Sequence, residues 1–352
     1  MRKYFCYELK KNLRTLTVLT VLCALFVGVV MMNATLFYSR PVYDENYNTV
    51  LGYQKENYTN GIGWFCAVLV VLCVFVPVHI FRFKMNKRGV DALYSLPVKR
   101  EKLYLAKTLV GLILVAVPFT ACYIAGVGVV AVRENYFYFG WYFPAYFALL
   151  GTGVCLFGIY AFLFTRGNTV ADGLVFMFAW TFLTELFAVR LANGFELLGF
   201  EKLAEVFHDS NYFDLDYMLV GGPIHIAEEF SRLLNDGSSK YLVWQVVVAC
   251  VAFGALGYAL LFTLLKKDKA ENAEQISSSW WGYKTIVPAY AVLVLASFDM
   301  VDSALIVVVV TLIAEVVAYI AYRRKVKLRW TDWAAIGGSI AAGVLLGILL
   351  HP

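Results

Sequence analysis

Mostly apolar runs of about 20 residues recur along the whole of this 352-residue chain, and no other feature constrains its fold as tightly. A helix of about 20 residues rises about 30 Å, the thickness of a bilayer's hydrocarbon core. Nine runs qualify, at 16–37, 62–81, 109–132, 141–164, 169–189, 241–265, 281–298, 303–321 and 333–350. Peptide groups find no water in hydrocarbon, so each run must close its own hydrogen bonds as a helix. Strands of a transmembrane barrel need only about 10 residues and alternate in polarity, which these runs do not. With 61% hydrophobic and 16% charged residues, a soluble globular domain is excluded. The expected fold is an all-α polytopic membrane protein with nine spans, or eight if 281–298, interrupted by Lys284, fails to cross.

Orientation follows from the basic residues, which concentrate on the cytoplasmic side of membrane proteins. With the N-terminus inside, the cytoplasmic segments hold 23 of the 30 Lys and Arg, and the outer segments hold 15 of the 25 Asp and Glu. The flanks 266–269 and 323–329 are both basic, so an even number of crossings should separate them, leaving the C-terminus outside. Seven of the eight tryptophans (all but Trp180) lie near span ends, as an interfacial belt requires. The basic front of the chain resembles a signal peptide, but its apolar run is too long and no small-x-small cleavage site follows, so it should remain as an anchor. The net charge of +5 averages a basic inner face, suited to anionic lipid, and an acidic outer one; it implies no nucleic acid. All seven cysteines fall in spans or the N-terminal segment, which excludes an extracellular disulfide framework, and no CxxC pair suggests a metal.

Residues 2–14 read as a short amphipathic helix on the inner leaflet, with Phe5, Leu9 and Leu13 repeating every four residues among Lys and Arg. The outer loop 38–61 is rich in Tyr and Asn. The longest outer segment, 191–240, carries nine acidic and three basic residues, yet Ile226, Ala227, Phe230, Leu233 and Leu234 form one helical stripe. Re-entrant helices capping the bundle are expected there. Residues 266–280 read as a polar, solvated linker, followed by additional spans through 352. Ser339, Gly343 and Gly347 give the last span a face of small residues, for packing in the bundle or for a dimer contact.

The segment 82–107 between the second and third runs is the most informative loop. Arg82, Lys84, Lys87 and Arg88 hold it at the headgroups; Val90, Leu93 and Tyr94 then offer an apolar stripe, with Asp91 the lone acid among them. Ser95, Leu96 and Pro97 break that helix, with Ser95 placed to cap a second helix and Pro97 tolerated in its first turn. Lys99 and Arg100 begin the second helix, which continues into the third span. Helix, break, helix beneath a rigid span is suited to docking in a partner's groove and relaying a push. The plainer alternative is that these charges only set topology and bind lipid.

The phrase VDALYSLPVKREKLYLAKTLVG resembles the cytoplasmic coupling region of the type-2 permeases of ATP-binding-cassette (ABC) exporters. Residues 1–265 are similar to that family in organisation: an interfacial N-terminal helix, six spans, a coupling loop after the second, and the largest outer segment between the fifth and sixth. The resemblance implies a six-helix permease core over 1–265, with 281–352 as about three extra spans. It implies coupling to an ABC ATP-binding subunit through Val90, Asp91, Leu93, Tyr94, Ser95, Leu96, Pro97, Lys99 and Arg100. It also implies a second permease subunit, identical or related, and a bacterial cytoplasmic membrane. The chain has no phosphate-binding loop of the GxxxxGK[ST] kind, so ATP and Mg would bind in the partner and this chain would bind no cofactor and act as no enzyme.

Ionised groups at mid-bilayer are costly and need a reason to be there. Glu185 is a candidate for lining a translocation path, or else has a local partner; Glu315 reads more readily as structurally paired. Asp172 lies near the inner interface, where it should be hydrated. His208, Asp209, Asp214, Asp216 and His225 share the outer segment without the tight spacing of a metal site. An ATP-independent secondary transporter, or a sensor using the acidic outer segment, is the alternative class.

Overall fold

A computed structural model describes residues 2–33, 37–43, 50–57, 60–134, 139–199, 244–264, 270–277, 279–297 and 300–350. Among them every element but one hairpin is helical. In chain order these are α1 (Arg2–Asn33), β1 (Phe37–Tyr43), β2 (Val50–Asn57), α2 (Asn60–Phe81), α3 (Lys87–Tyr94), α4 (Arg100–Glu134), α5 (Phe139–Arg166), α6 (Val170–Leu197), α7 (Trp244–Leu264), α8 (Tyr283–Leu295), α9 (Met300–Arg323) and α10 (Trp330–Leu350). Two 3-10 turns, Arg82–Met85 and Ala270–Asn272, complete the list.

Among the described residues, six helical stretches are long and apolar enough to cross a membrane: Arg2–Asn33, Ile62–Met85, Arg100–Arg133, Tyr142–Arg166, Leu305–Arg323 and Trp330–Leu349. Shorter apolar stretches lie at Val170–Thr184, Cys250–Leu264 and Tyr283–Leu295. The chain is a multi-pass helical membrane protein. Each expected run carries a helix, but the seventh, α8, has only 13 residues. At about 1.5 Å per residue it reaches about 20 Å, short of the hydrocarbon thickness.

The chain divides into two compact units. The first gathers α1, the hairpin, α2 up to Val76, and the parts of α4 and α5 between Lys102 and Phe157. Its core is aromatic: Tyr123 lies 4.5 Å from Phe65 and 5.3 Å from Tyr146, ring centre to ring centre, and donates its hydroxyl hydrogen to the Tyr142 carbonyl at 2.6 Å. The loop expected at 38–61 contains an antiparallel hairpin, running from Phe37 opposite Asn57 to Tyr43 opposite Val50. Its Tyr and Val residues favour extended backbone, and a two-stranded ribbon has only edge strands, so Pro41 fits.

The N-terminus also departs from expectation. Residues 2–14 are the first part of one unbroken 32-residue helix, α1, rather than a separate amphipathic piece. Its buried positions in that part are Glu8 and Asn12, whereas Leu13 is exposed. The face turned to the protein is thus polar, because Lys107 of α4 supplies a charge there. Lys107 Nζ lies 3.1 Å from Glu8 Oε1, and both side chains are almost wholly buried. Tyr4 donates to Glu8 Oε1 at 2.7 Å, and Asn12 Nδ2 donates to the Glu8 carbonyl at 2.8 Å.

The second unit holds Pro77–Glu101, the segment beginning at Gly158, and Val248–Pro352. Here α8 is a core helix, packed against α6, α9 and α10. Val287 of α8 meets Tyr319 and Tyr322 of α9 and Ile336 of α10. Trp180 Nε1 donates to the Trp281 carbonyl at 2.8 Å, and Tyr290 donates to the Ala179 carbonyl at 2.7 Å. At Gly257 the backbone of α7 comes so close to α5 that a Cβ would sit 2.8 Å from the Ile159 nitrogen, so only glycine allows this approach. The small-residue face of α10 is occupied inside the unit: Ser339 faces Glu315, and Gly343 lies against Val292 and Leu295 of α8.

Candidate functional site

The loop expected to do the coupling is built as helix, break, helix. A 3-10 turn at Arg82–Met85 prolongs α2, the backbone turns extended at Asn86, and the Asn86 side chain caps α3 by accepting the Arg88 N–H at 3.0 Å. Gly89 is needed because α3 lies against that turn: a Cβ there would be 2.9 Å from the Phe83 carbonyl oxygen. Ser95 ends α3 instead of starting the next helix. Its N–H donates to the Asp91 carbonyl at 3.1 Å and its hydroxyl to that of Ala92, also at 3.1 Å. The residues 95–99 are then non-helical, with Pro97 between the helices rather than inside one, and α4 runs unbroken from Arg100 through Pro118 to Glu134.

The surface this element offers differs from the apolar stripe read from sequence. Val90 is buried at 2% exposure, and Leu93 and Tyr94 are half-buried, so these three fasten α3 to the protein. Asp91, Ser95, Leu96, Pro97, Lys99 and Arg100 are exposed. Arg100 stands 4.2 Å above the Tyr94 ring, a cation–π contact that closes the break from both ends. The accessible part is the break and its charged flank.

Beneath the loop lies a framework that the sequence does not advertise. The last turn of α5 is anchored to the loop by Lys84, whose ammonium donates to the Thr165 carbonyl. The segment 270–277 adds further anchors and is not a free linker: Ala273 and Ser277 are buried. The Glu274 N–H donates to the Asn168 carbonyl at 3.0 Å, and the Ser277 hydroxyl to the Arg166 carbonyl at 3.0 Å. Asn168 Nδ2 donates in return to the Ile276 carbonyl at 3.4 Å. The 3-10 turn Ala270–Asn272 packs on α3, and Glu274 Oε1 accepts the Lys87 N–H at 3.3 Å. Little in the sequence signals this docking: the buried positions are the small Ala273 and Ser277, while Ile276, the largest apolar residue of the stretch, stays exposed.

The remaining candidates separate from this cluster. Glu185 lies within α6, and its side chain is outside the described residues, as are residues 200–243 with the stripe at 226–234 and the histidines at 208 and 225. Glu315 is buried, and the Ser339 hydroxyl lies 2.8 and 3.0 Å from its two oxygens. Asp172 is buried rather than hydrated, with the Tyr283 hydroxyl donating to it at 2.8 Å. No group of three or more potential metal ligands occurs among the described residues. Comparison with family models, curated proteins and solved structures yields no match.

Proposed function

We propose that this chain is the permease subunit of an ABC exporter, moving an amphiphilic, peptide or lipid-linked cargo outward with ATP hydrolysed by a separate subunit. The N-terminus and the 82–101 loop would lie in the cytoplasm of a bacterial cell, and two permease subunits would pair around the cargo path. The observation that carries this reading is the exposed break at 95–99 feeding directly into the 35-residue helix α4. A push on Leu96 or Arg100 would enter α4 at its first turn, because the break joins that helix with no intervening loop. Arg100, exposed beside the break and braced on Tyr94, has the chemistry of an interface anchor.

The test is affinity purification of the full chain from its native membrane. A soluble polypeptide with ATPase activity should be retained. Leu96→Asp or Arg100→Glu should lower the amount retained about tenfold, the loss of one good anchor. Retention unaffected by both substitutions, or transport in sealed vesicles that proceeds without ATP, would reject the proposal. The second outcome would favour a secondary transporter.

A further inference from the structure

We infer that the segment 270–277, which opens the C-terminal extension, is a brace that holds α3 in the position from which the break at 95–99 is presented, with Glu274 and Ser277 as its positioning residues. The functional sense of a brace rests on reading 87–100 as the place where a partner's motion enters; its physical existence does not.

The contacts form a continuous path from the extension to the loop. Tyr322, near the end of α9, donates to the Ser277 carbonyl at 3.4 Å, and the Ser277 hydroxyl donates to the carbonyl of Arg166, the last residue of α5. The adjacent Thr165 carbonyl receives the Lys84 ammonium, and Asn168, just past the end of α5, receives the Glu274 N–H. Glu274 completes the path by accepting the Lys87 N–H at the first turn of α3. α3 is only eight residues long, too short to hold its own shape in isolation. Its order must come from what it rests on, namely the 3-10 turn before it and the segment 270–274 beside it.

The backbone at Glu274 supports a positional role. Its φ is 65°, in the left-handed region that disfavours side chains other than glycine's. This conformation lets one residue send its N–H to Asn168 while its carboxylate turns to Lys87. The ion pair with Lys87 Nζ contributes little, since the charges are 4.0 Å apart and both side chains are more than half exposed. The directional bonds and the buried Ser277 therefore dominate. A six-helix core gains from such a brace because α3 would otherwise rest on the 3-10 turn alone and could dissipate a push before it reached α4.

Peptide-level hydrogen–deuterium exchange on the full chain in lipid nanodiscs tests this. Glu274→Gly keeps the left-handed turn and removes the carboxylate; Ser277→Ala removes the bond to Arg166. Each should speed exchange over 87–94 about tenfold, the effect of losing one hydrogen bond, while 300–350 stays as protected as in the parent. Glu274→Gln, whose amide oxygen still accepts from Lys87, should exchange like the parent. Unchanged protection of 87–94 in both weakening variants overturns the inference, as does equal loosening of 300–350, which would signal general unfolding. Retention of a soluble ATPase, measured on the same samples, judges the other reading separately. If the parent retains none, the exporter proposal fails while the exchange result still decides the brace. If faster exchange leaves retention intact, the positioning role is overturned.

Discussion

Two ion pairs join residues of the loop region to distant parts of the chain, and they differ in almost everything but charge. In the first unit Lys107 meets Glu8 at 3.1 Å with side-chain exposures of 5% and 2%; in the second Lys87 meets Glu274 at 4.0 Å with exposures of 57% and 51%. Water screens the second pair and is excluded from the first, so the same two charges change from a minor contact to an obligatory one. The buried pair also has the Tyr4 hydroxyl donating to the Glu8 carboxylate, which such a desolvated group requires, while the Asn12 amide satisfies the Glu8 backbone carbonyl. A third pair falls between: Arg323 grips Asp332 with a two-pronged contact at 3.1 and 2.5 Å, at 22% and 4% exposure.

The comparison is broken most sharply by removing one partner of the buried pair. Lys107→Met leaves Glu8 charged and without its cation, and should cost about 3–5 kcal/mol in thermal unfolding of the detergent-solubilised protein. The double variant Glu8→Gln with Lys107→Met should recover most of that loss; if it is no better than the single variant, packing rather than charge governs the site. Asp332→Asn should cost about 1.5–3 kcal/mol, as a charge-assisted fork reduced to a neutral contact, read from the same melts. Lys87→Ala should cost about 1 kcal/mol or less, and that small loss should vanish at high salt, since an exposed pair is screened. A Lys87→Ala effect as large as that of Lys107→Met would mean that exposure does not rank these pairs.

The loop shows how far residue pattern reaches. The order helix, break, helix was legible because Ser95, Leu96 and Pro97 interrupt a periodic stretch and basic residues restart it. The side of α3 that is buried was not legible, since an amphipathic helix of eight residues can turn the same stripe towards the protein or towards a partner. Val90 went inward because Gly89 brings α3 onto the Phe83 carbonyl, a contact no local pattern encodes. Glu8 shows the same limit from the other direction. It is the one acid among the five basic residues of 2–14, and nothing near it in sequence announces that it is buried against a lysine 99 positions away.

Sequence by itself determined that this chain crosses a membrane several times as helices, because apolar length and hydrogen-bond closure are properties of each segment alone. It also determined where one loop breaks and restarts. Only the tertiary structure decided that α8 is a core helix, that the polar stretch 270–277 is docked rather than solvated, and which charges are buried. Those outcomes depend on residues brought together across as many as 187 positions, as Lys87 and Glu274 are, and the energy of such a meeting is written in neither segment separately.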